Sequence, residues 1–271
     1  MNNVLQKSAE SEKSRGHLDP NGFREHVSFH TYIPPKDLAP FLEHFWTLNW
    51  NESDTPYYSE QVMHLPQVDI FISADWSGIQ GTFRAKKTYT AKGKGRIIGL
   101  RFLPGAFHAF WDGDMQALQD STLDIQEFFP KMSQRTIQTL LELDDHAVIA
   151  ELITLLRGAL PQVDPNISLI GKIIDATDRD RLLSVADIAD QFEKSERWLQ
   201  QLFQTYIGVG LKWLIQRNRL LYAAERIRDS DMPEWVVIAY DAGYSSQQHF
   251  ISDFKKILGS TPLQYKKTLS K

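Results

Sequence analysis

Two stretches of this chain match each other at a nearly constant offset, and that repeat limits the fold more than any other feature. The first is LSVADIADQFEKSERWLQQLF, Leu183 to Phe203, and the second is MPEWVVIAYDAGYSSQQHFISDF, Met232 to Phe254. Ile188-Ala189 and Ile238-Ala239 are 50 residues apart, whereas Leu199 and Phe203 precede Phe250 and Phe254 by 51, so the second copy has one extra residue in its turn. Each copy reads as a short helix, a turn and a second helix, with a serine (Ser195; Ser245 or Ser246) placed to accept a backbone N–H at the second helix's start. Small Ala189 and Ala239 suit a close crossing of two helices. Leu199/Phe203 and Phe250/Phe254 are spaced i, i+4 and share one face. The opposite face offers Arg197, Gln200 and Gln201 in the first copy, and Gln247, Gln248, His249 and Ser252 in the second. One face that fixes a helix and another that carries donors into a major groove is the requirement of a helix-turn-helix. A plain helical hairpin with a wet polar face has the same periodicity. Two in-phase copies joined by one long helix weigh against it.

The rest of the chain divides around this repeat. A length of 271 residues fits about two domains. Helices are expected near Leu169–Thr177, Val185–Gln191, Glu196–Tyr206, Gly210–Ser230, Glu234–Ala242 and Ser246–Leu258. Upstream, PQVDPNIS has two prolines and turn formers and reads as a linker. Before it, helices are expected at Ser133–Leu143 and His146–Leu160, with a helical patch at Phe107, Phe110 and Trp111. Short β-branched or aromatic runs predict strands at Gln67–Ser73, Gly81–Phe83, Lys87–Ala91 and Ile97–Phe102. Leu38, Phe41, Leu42, Phe45 and Trp46 recur at helical spacing and predict a short helix leading into a strand at Thr47–Trp50. Residues 1–25 are polar and aperiodic and read as a mobile tail. The fold class is therefore α+β in two domains: a β-rich barrel- or sandwich-like domain over 26–160, a linker over 161–167, and an all-α domain over 168–271 with two helix-turn-helix units.

Composition narrows the function. With no cysteine, disulfide scaffolds, thiolate metal sites and cysteine nucleophiles are excluded. No run approaches 18 apolar residues and the N-terminus lacks an apolar signal core, so the expectation is a soluble, cytoplasmic chain with no membrane partner. The net charge of −4 hides an asymmetry: residues 1–167 carry −6, residues 168–271 carry +2, and the part from Lys194 onward carries +5. A basic end on an acidic chain fits nucleic acid, and it fits a solvated surface as well.

Residues from about 168 to 271 closely resemble the DNA-binding domain of AraC/XylS-type transcriptional regulators. The pieces IA, AGYSS, HF, FKK and G-x-TP-x-x-Y of VVIAYDAGYSSQQHFISDFKKILGSTPLQYKK follow that family's pattern almost position for position, and QRNRLLYAAERIRDS is similar to its connecting helix. The resemblance implies seven helices, with two recognition helices entering successive major grooves of double-stranded DNA. It also supports base contacts from Arg197, Gln200, Gln201, Gln247, Gln248, His249 and Ser252. The chain departs from the family at Glu193, where glycine is usual, and at Ser252 and Asp253, where a basic residue is common nearby. Segments YIPPKDLAPFLEHFWTLNW, HLPQVDIFIS and GLRFLPGAFHAF are similar to the sensor or dimerisation domain of one AraC-type subgroup. That likeness brings no known ligand. The expected partners beyond DNA are RNA polymerase, a small-molecule effector and a second copy of the chain.

Arg217, Arg219, Lys255 and Lys256 are the expected phosphate contacts, with a solvated basic face as the alternative. In the N-terminal domain His64, Asp69, Trp76 and Arg101 are the candidates for an effector pocket; the aromatic residues there suit a core equally, and Arg101, in mid-strand, faces either solvent or a site. The eight histidines form no metal-binding pattern, the glycines of AKGKGRIIG open no helix, and no G-x-S-x-G elbow occurs. No cofactor, metal or enzymatic activity is expected. The alternative to a DNA-binding regulator is a small-molecule binding protein whose main activity lies in the β domain.

Overall fold

A computed structural model describes residues 20–52, 55–61 and 66–269. The strands are β1 (Val27–Tyr32), β2 (Leu42–Asn51), β3 (Tyr57–Gln61), β4 (Asp69–Ser73), β5 (Gly78–Gln80), β6 (Lys87–Ala91), β7 (Lys94–Phe102) and β8 (Thr122–Asp124). Six of them form one antiparallel sheet in the order β1-β2-β7-β4-β5-β8, and β3 pairs with β6 in a separate ribbon. No closed barrel forms among the described residues. Pro20–His26, which begins inside the stretch read as a tail, makes helix α1, and its Phe23 is buried.

The helix expected at Leu38–Trp46 is instead a turn followed by the long strand β2. The pairing of β2 with β7 shifts between Leu42 and His44, where a bulge adds one residue to β2. The extra residue puts Leu42 and Phe45, three apart, on the same buried face, and so imitates a helical period. The strand expected at Gly81–Phe83 is also absent; β5 lies just before it. Gly81 packs against the backbone of Leu118, where a Cβ would come within 2.2 Å of the carbonyl oxygen. The patch at Phe107–Trp111 is only a 3-10 turn, Ala106–Ala109, and Phe102, Phe107 and Phe110 meet edge to face as core.

Tyr32, Phe45, Leu100, Ile70 and Ile79 are cross-strand neighbours on one sheet face, which joins Ile137, Leu140, Val148, Ile149 and Leu152 in a single core. Those last five residues belong to α2 (Gln134–Glu142) and α3 (Asp145–Arg157). Asp145 ties α3 to the sheet: its carboxylate accepts from Tyr32 Oη at 2.6 Å, Thr47 Oγ1 at 2.9 Å and Arg96 Nη2 at 2.6 Å. On the opposite face the indoles of Trp46 and Trp50 lie against Gly99 and Gly95, where a Cβ would come within 2.3 and 2.0 Å of the rings.

Seven helices follow: α4 (Pro165–Arg179), α5 (Val185–Gln191), α6 (Glu196–Ile207), α7 (Leu211–Arg228), α8 (Trp235–Asp241), α9 (Gln247–Leu258) and α10 (Pro262–Leu269). Asp164 caps α4 and Pro165 fills its first turn, where a missing N–H costs nothing. Periodicity did not reveal α10, the seventh helix. Two small cores form. Ile170, Ile173, Ile188, Leu199, Phe203, Leu211 and Leu214 build one, and Leu220, Ala223, Ile227, Ile238, Phe250, Phe254 and Tyr265 build the other. The connecting helix α7 contributes to both.

Candidate nucleic-acid interface

The repeat has the same local geometry in both copies. Helices α5 and α8 each have 7 residues, and α6 and α9 each have 12. Ser195 Oγ accepts from Trp198 N at 3.2 Å, and Ser246 Oγ accepts from His249 N at 3.2 Å, so Ser246 rather than Ser245 is the second cap. The turns match as well. Lys194 N–H donates to Ala189 O and Tyr244 N–H donates to Ala239 O, both at 2.9 Å. Glu193 has φ 52° where its counterpart Gly243 has φ 76°. The glutamate therefore adopts the left-handed conformation that glycine takes in the other copy, and the first turn is strained rather than reshaped.

Aligned by their caps, the two helices present equivalent exposed positions. Glu196 and Arg197 in α6 correspond to Gln247 and Gln248 in α9, and Gln201 corresponds to Ser252; all six are exposed. His249 is exposed on the turn after the cap. Gln200 is exposed too, but its amide leans over Gly210, where a Cβ would come within 2.7 Å of Nε2. Glu196 was not among the expected contacts, although the 51-residue offset pairs it with Gln247. Buried Leu199, Phe203, Phe250 and Phe254 hold the opposite faces.

One of the expected phosphate contacts, Arg217, is corrected, and a second, Arg219, is part-buried with its guanidinium on backbone carbonyls. Arg217 is 1% exposed, three residues after Leu214 and three before Leu220, on the inward side of α7. Its Nη1 donates to Asn218 Oδ1 at 2.5 Å. Burial pushes the guanidinium down to about 10, with Asp178 opposing the shift. Arg219 donates from Nε to Arg181 O at 3.0 Å and from Nη2 to Leu182 O at 3.1 Å, which fastens α7 to the α4–α5 connection. Beside them Gln216 Nε2 donates to Asp253 Oδ2 of α9 at 2.5 Å, and Asn218 Nδ2 donates to Thr177 Oγ1 and Asp178 Oδ1 of α4. Asp253 thus turns toward α7. Lys255 and Lys256 are exposed in the last turn of α9.

In the N-terminal half, Arg101 is only part-exposed and carries a partner. It grips Asp69 bidentately across the β4–β7 pairing, Nε to Oδ1 and Nη2 to Oδ2, both at 2.8 Å. Burial opposes the arginine's charge, but the Asp69 carboxylate overrides it and the guanidinium pKa rises. His44 lies opposite Arg101 on β2; burial, then Arg101, pushes its imidazole down to about 3. Trp76 is 40% exposed and meets Phe71 at 4.9 Å. His64 falls outside the described residues. Among those described, no group of three or more metal-ligating side chains gathers, and no helix is long and apolar enough to cross a membrane.

Comparison with known proteins places two families on the chain. A helix-turn-helix domain family matches residues 188–268, and a domain of unknown function (DUF6597) matches residues 30–124. The regulatory protein SoxS of Salmonella typhimurium is 34% identical over 90 residues, 33% of this chain and 83% of SoxS. The HTH-type transcriptional regulator ExsA of Pseudomonas aeruginosa is 33% identical over 78 residues, 29% of this chain, and the match spans only 28% of ExsA. Among solved structures, ToxT from Vibrio cholerae is 13% identical and covers 91% of this chain and 100% of its own, with a TM-score of 0.36.

Proposed function

The chain belongs to the AraC family of transcriptional regulators, and we propose that it binds duplex DNA in a sequence-specific way through α6 and α9 together. One observation carries this reading: two helix-turn-helix units of equal helix lengths, each with a serine-capped second helix exposing its first turn, hang from a single connecting helix. Helix α7 has 18 residues, about 27 Å at the α-helical rise. Recognition helices at its two ends suit successive major grooves on one side of a duplex, about 34 Å apart. Arg197 offers guanine O6 and N7 a bidentate donor, and Gln247 or Gln248 offers adenine N6 and N7 a matched donor and acceptor. Lys255 and Lys256 supply phosphate contacts that carry no sequence information.

A second role, binding of a small-molecule effector by the N-terminal half, is favoured by the sheet face opposite α2 and α3. There Trp46, Phe71 and Trp76 border the Asp69–Arg101 pair and remain partly exposed.

Selection of bound duplexes from a random pool tests the main reading. It should return a motif of two half-elements. The Gln248→Ala variant should lose about 1–3 kcal/mol on that motif and relax preference at one half-element. Enrichment of no motif, or an unchanged base preference in well-folded Gln248→Ala, would reject the assignment.

A further inference from the structure

Each recognition helix ends on a left-handed glycine, and each of those glycines abuts the N-terminal half of the chain. Gly208 caps α6 at φ 84°, and a Cβ there would stand 2.2 Å from the carbonyl oxygen of Met115. Gly259 caps α9 at φ 76°, and a Cβ there would meet Lys86 Cε at 3.1 Å. Lys86 N–H donates to Ile257 O at 3.0 Å. That oxygen is one of the last-turn carbonyls a helix leaves without a donor of its own.

The contact at α6 is broader. The His108 ring lies 4.6 Å from Tyr206, the last residue but one of α6. Tyr206 Oη donates to Asp164 Oδ2 at 2.5 Å and accepts from Asn166 Nδ2 at 2.9 Å. Gly105, at φ 81°, lets the loop approach so closely that a Cβ would come within 2.8 Å of Ile170 Cδ1.

These two contacts fall on different helical cores, one containing Phe203 and Ile207, the other Phe254 and Ile257. Helix α7 holds both units along their sides, through Gln216 to α9 and through Asn218 and Arg219 to the first unit. The N-terminal half holds them at their ends. We propose that this half clamps both recognition helices by their glycine caps and so sets the separation at which they meet DNA. The inference rests on the DNA-binding reading above. Its consequence is a division of labour: exposed side chains choose the bases, and the clamp chooses the spacing between the two half-elements. A ligand or partner that favours one arrangement of the N-terminal half would alter that spacing by as much as its affinities for the arrangements differ.

The full chain has no cysteine, so Thr205→Cys and Lys255→Cys on exposed positions of α6 and α9 would carry the only two spin labels. The distance between them is then measured in this background, in His108→Ala, and in His108→Ala with Lys86→Pro, which removes the donor to Ile257. Arg135→Ala, at an exposed position of α2, leaves both contacts in place and serves as the control. The clamp predicts a narrow distribution that broadens or shifts in the two clamp variants and not in the control. In parallel, unlabelled proteins without the two cysteines are titrated with the selected duplex and with duplexes lengthened by about one or two base pairs between half-elements. The clamp variants should discriminate about tenfold less between spacings, an ordinary coupling energy, with base preference inside each half-element unchanged. Unmoved label distances, or an equal loss of affinity on every duplex, would overturn the clamp. Failure of the unaltered chain to prefer any duplex would count against the DNA-binding reading, while the label distances would still decide whether the clamp exists.

Discussion

Single residues carry strain and charge that can be measured directly. Glu193 occupies a left-handed conformation that its counterpart Gly243 adopts freely. Glu193→Gly should therefore stabilise the chain by about 1 kcal/mol, read as a higher denaturant midpoint; destabilisation would mean that the glutamate side chain makes a favourable contact. His44 gives a second test. Its imidazole is held down to about 3 by burial and by Arg101, whereas an unfolded histidine titrates near 6.5. Between those values the unfolded chain binds the extra proton, so this stability is complete above about pH 6.5 and declines as the pH falls, approaching about 1.4 kcal/mol per pH unit. Unfolding free energies at pH 7, 5.5 and 4.5 should show a shallower decline in His44→Gln. Equal slopes would place the imidazole in water.

At the scale of elements, the repeat was legible because helix-turn-helix packing is local: the 50- and 51-residue offsets reappear as equal helices with equal caps. Strand β2 was not legible, because its bulge at Leu42–His44 gives a strand the spacing of a helix. Nor could the sequence show that Gly95 and Gly99 lie against indoles, since that depends on which strand becomes the neighbour of β2. Arg217 was misjudged by its charge although its spacing from Leu214 and Leu220 already marked the buried side of α7. Arg217→Ala should cost about 3 kcal/mol of stability, as loss of a large buried side chain does, and leave the salt dependence of DNA binding intact in the folded fraction. Lys256→Ala should do the reverse, with stability nearly unchanged and a salt slope reduced by about 1. A reduced slope for Arg217→Ala would return that residue to the DNA surface.

For the whole molecule, the proposed docking makes one chain protect two successive grooves on one side of the duplex. Footprinting with the full chain should show two protected patches about 10 base pairs apart; protection of one groove alone would mean that only one unit reads DNA. The tandem joint has a further consequence. Helix α7 links the two units end to end rather than across a twofold axis, and α6 and α9 expose different residues at equivalent positions. A bound chain therefore points along the DNA like an arrow, with upstream and downstream sides that are not interchangeable. Reversing the target in a promoter would keep every base contact and swing the N-terminal half to the other flank. Regulation by this protein should then depend on which way its site reads, and not only on whether the site is filled.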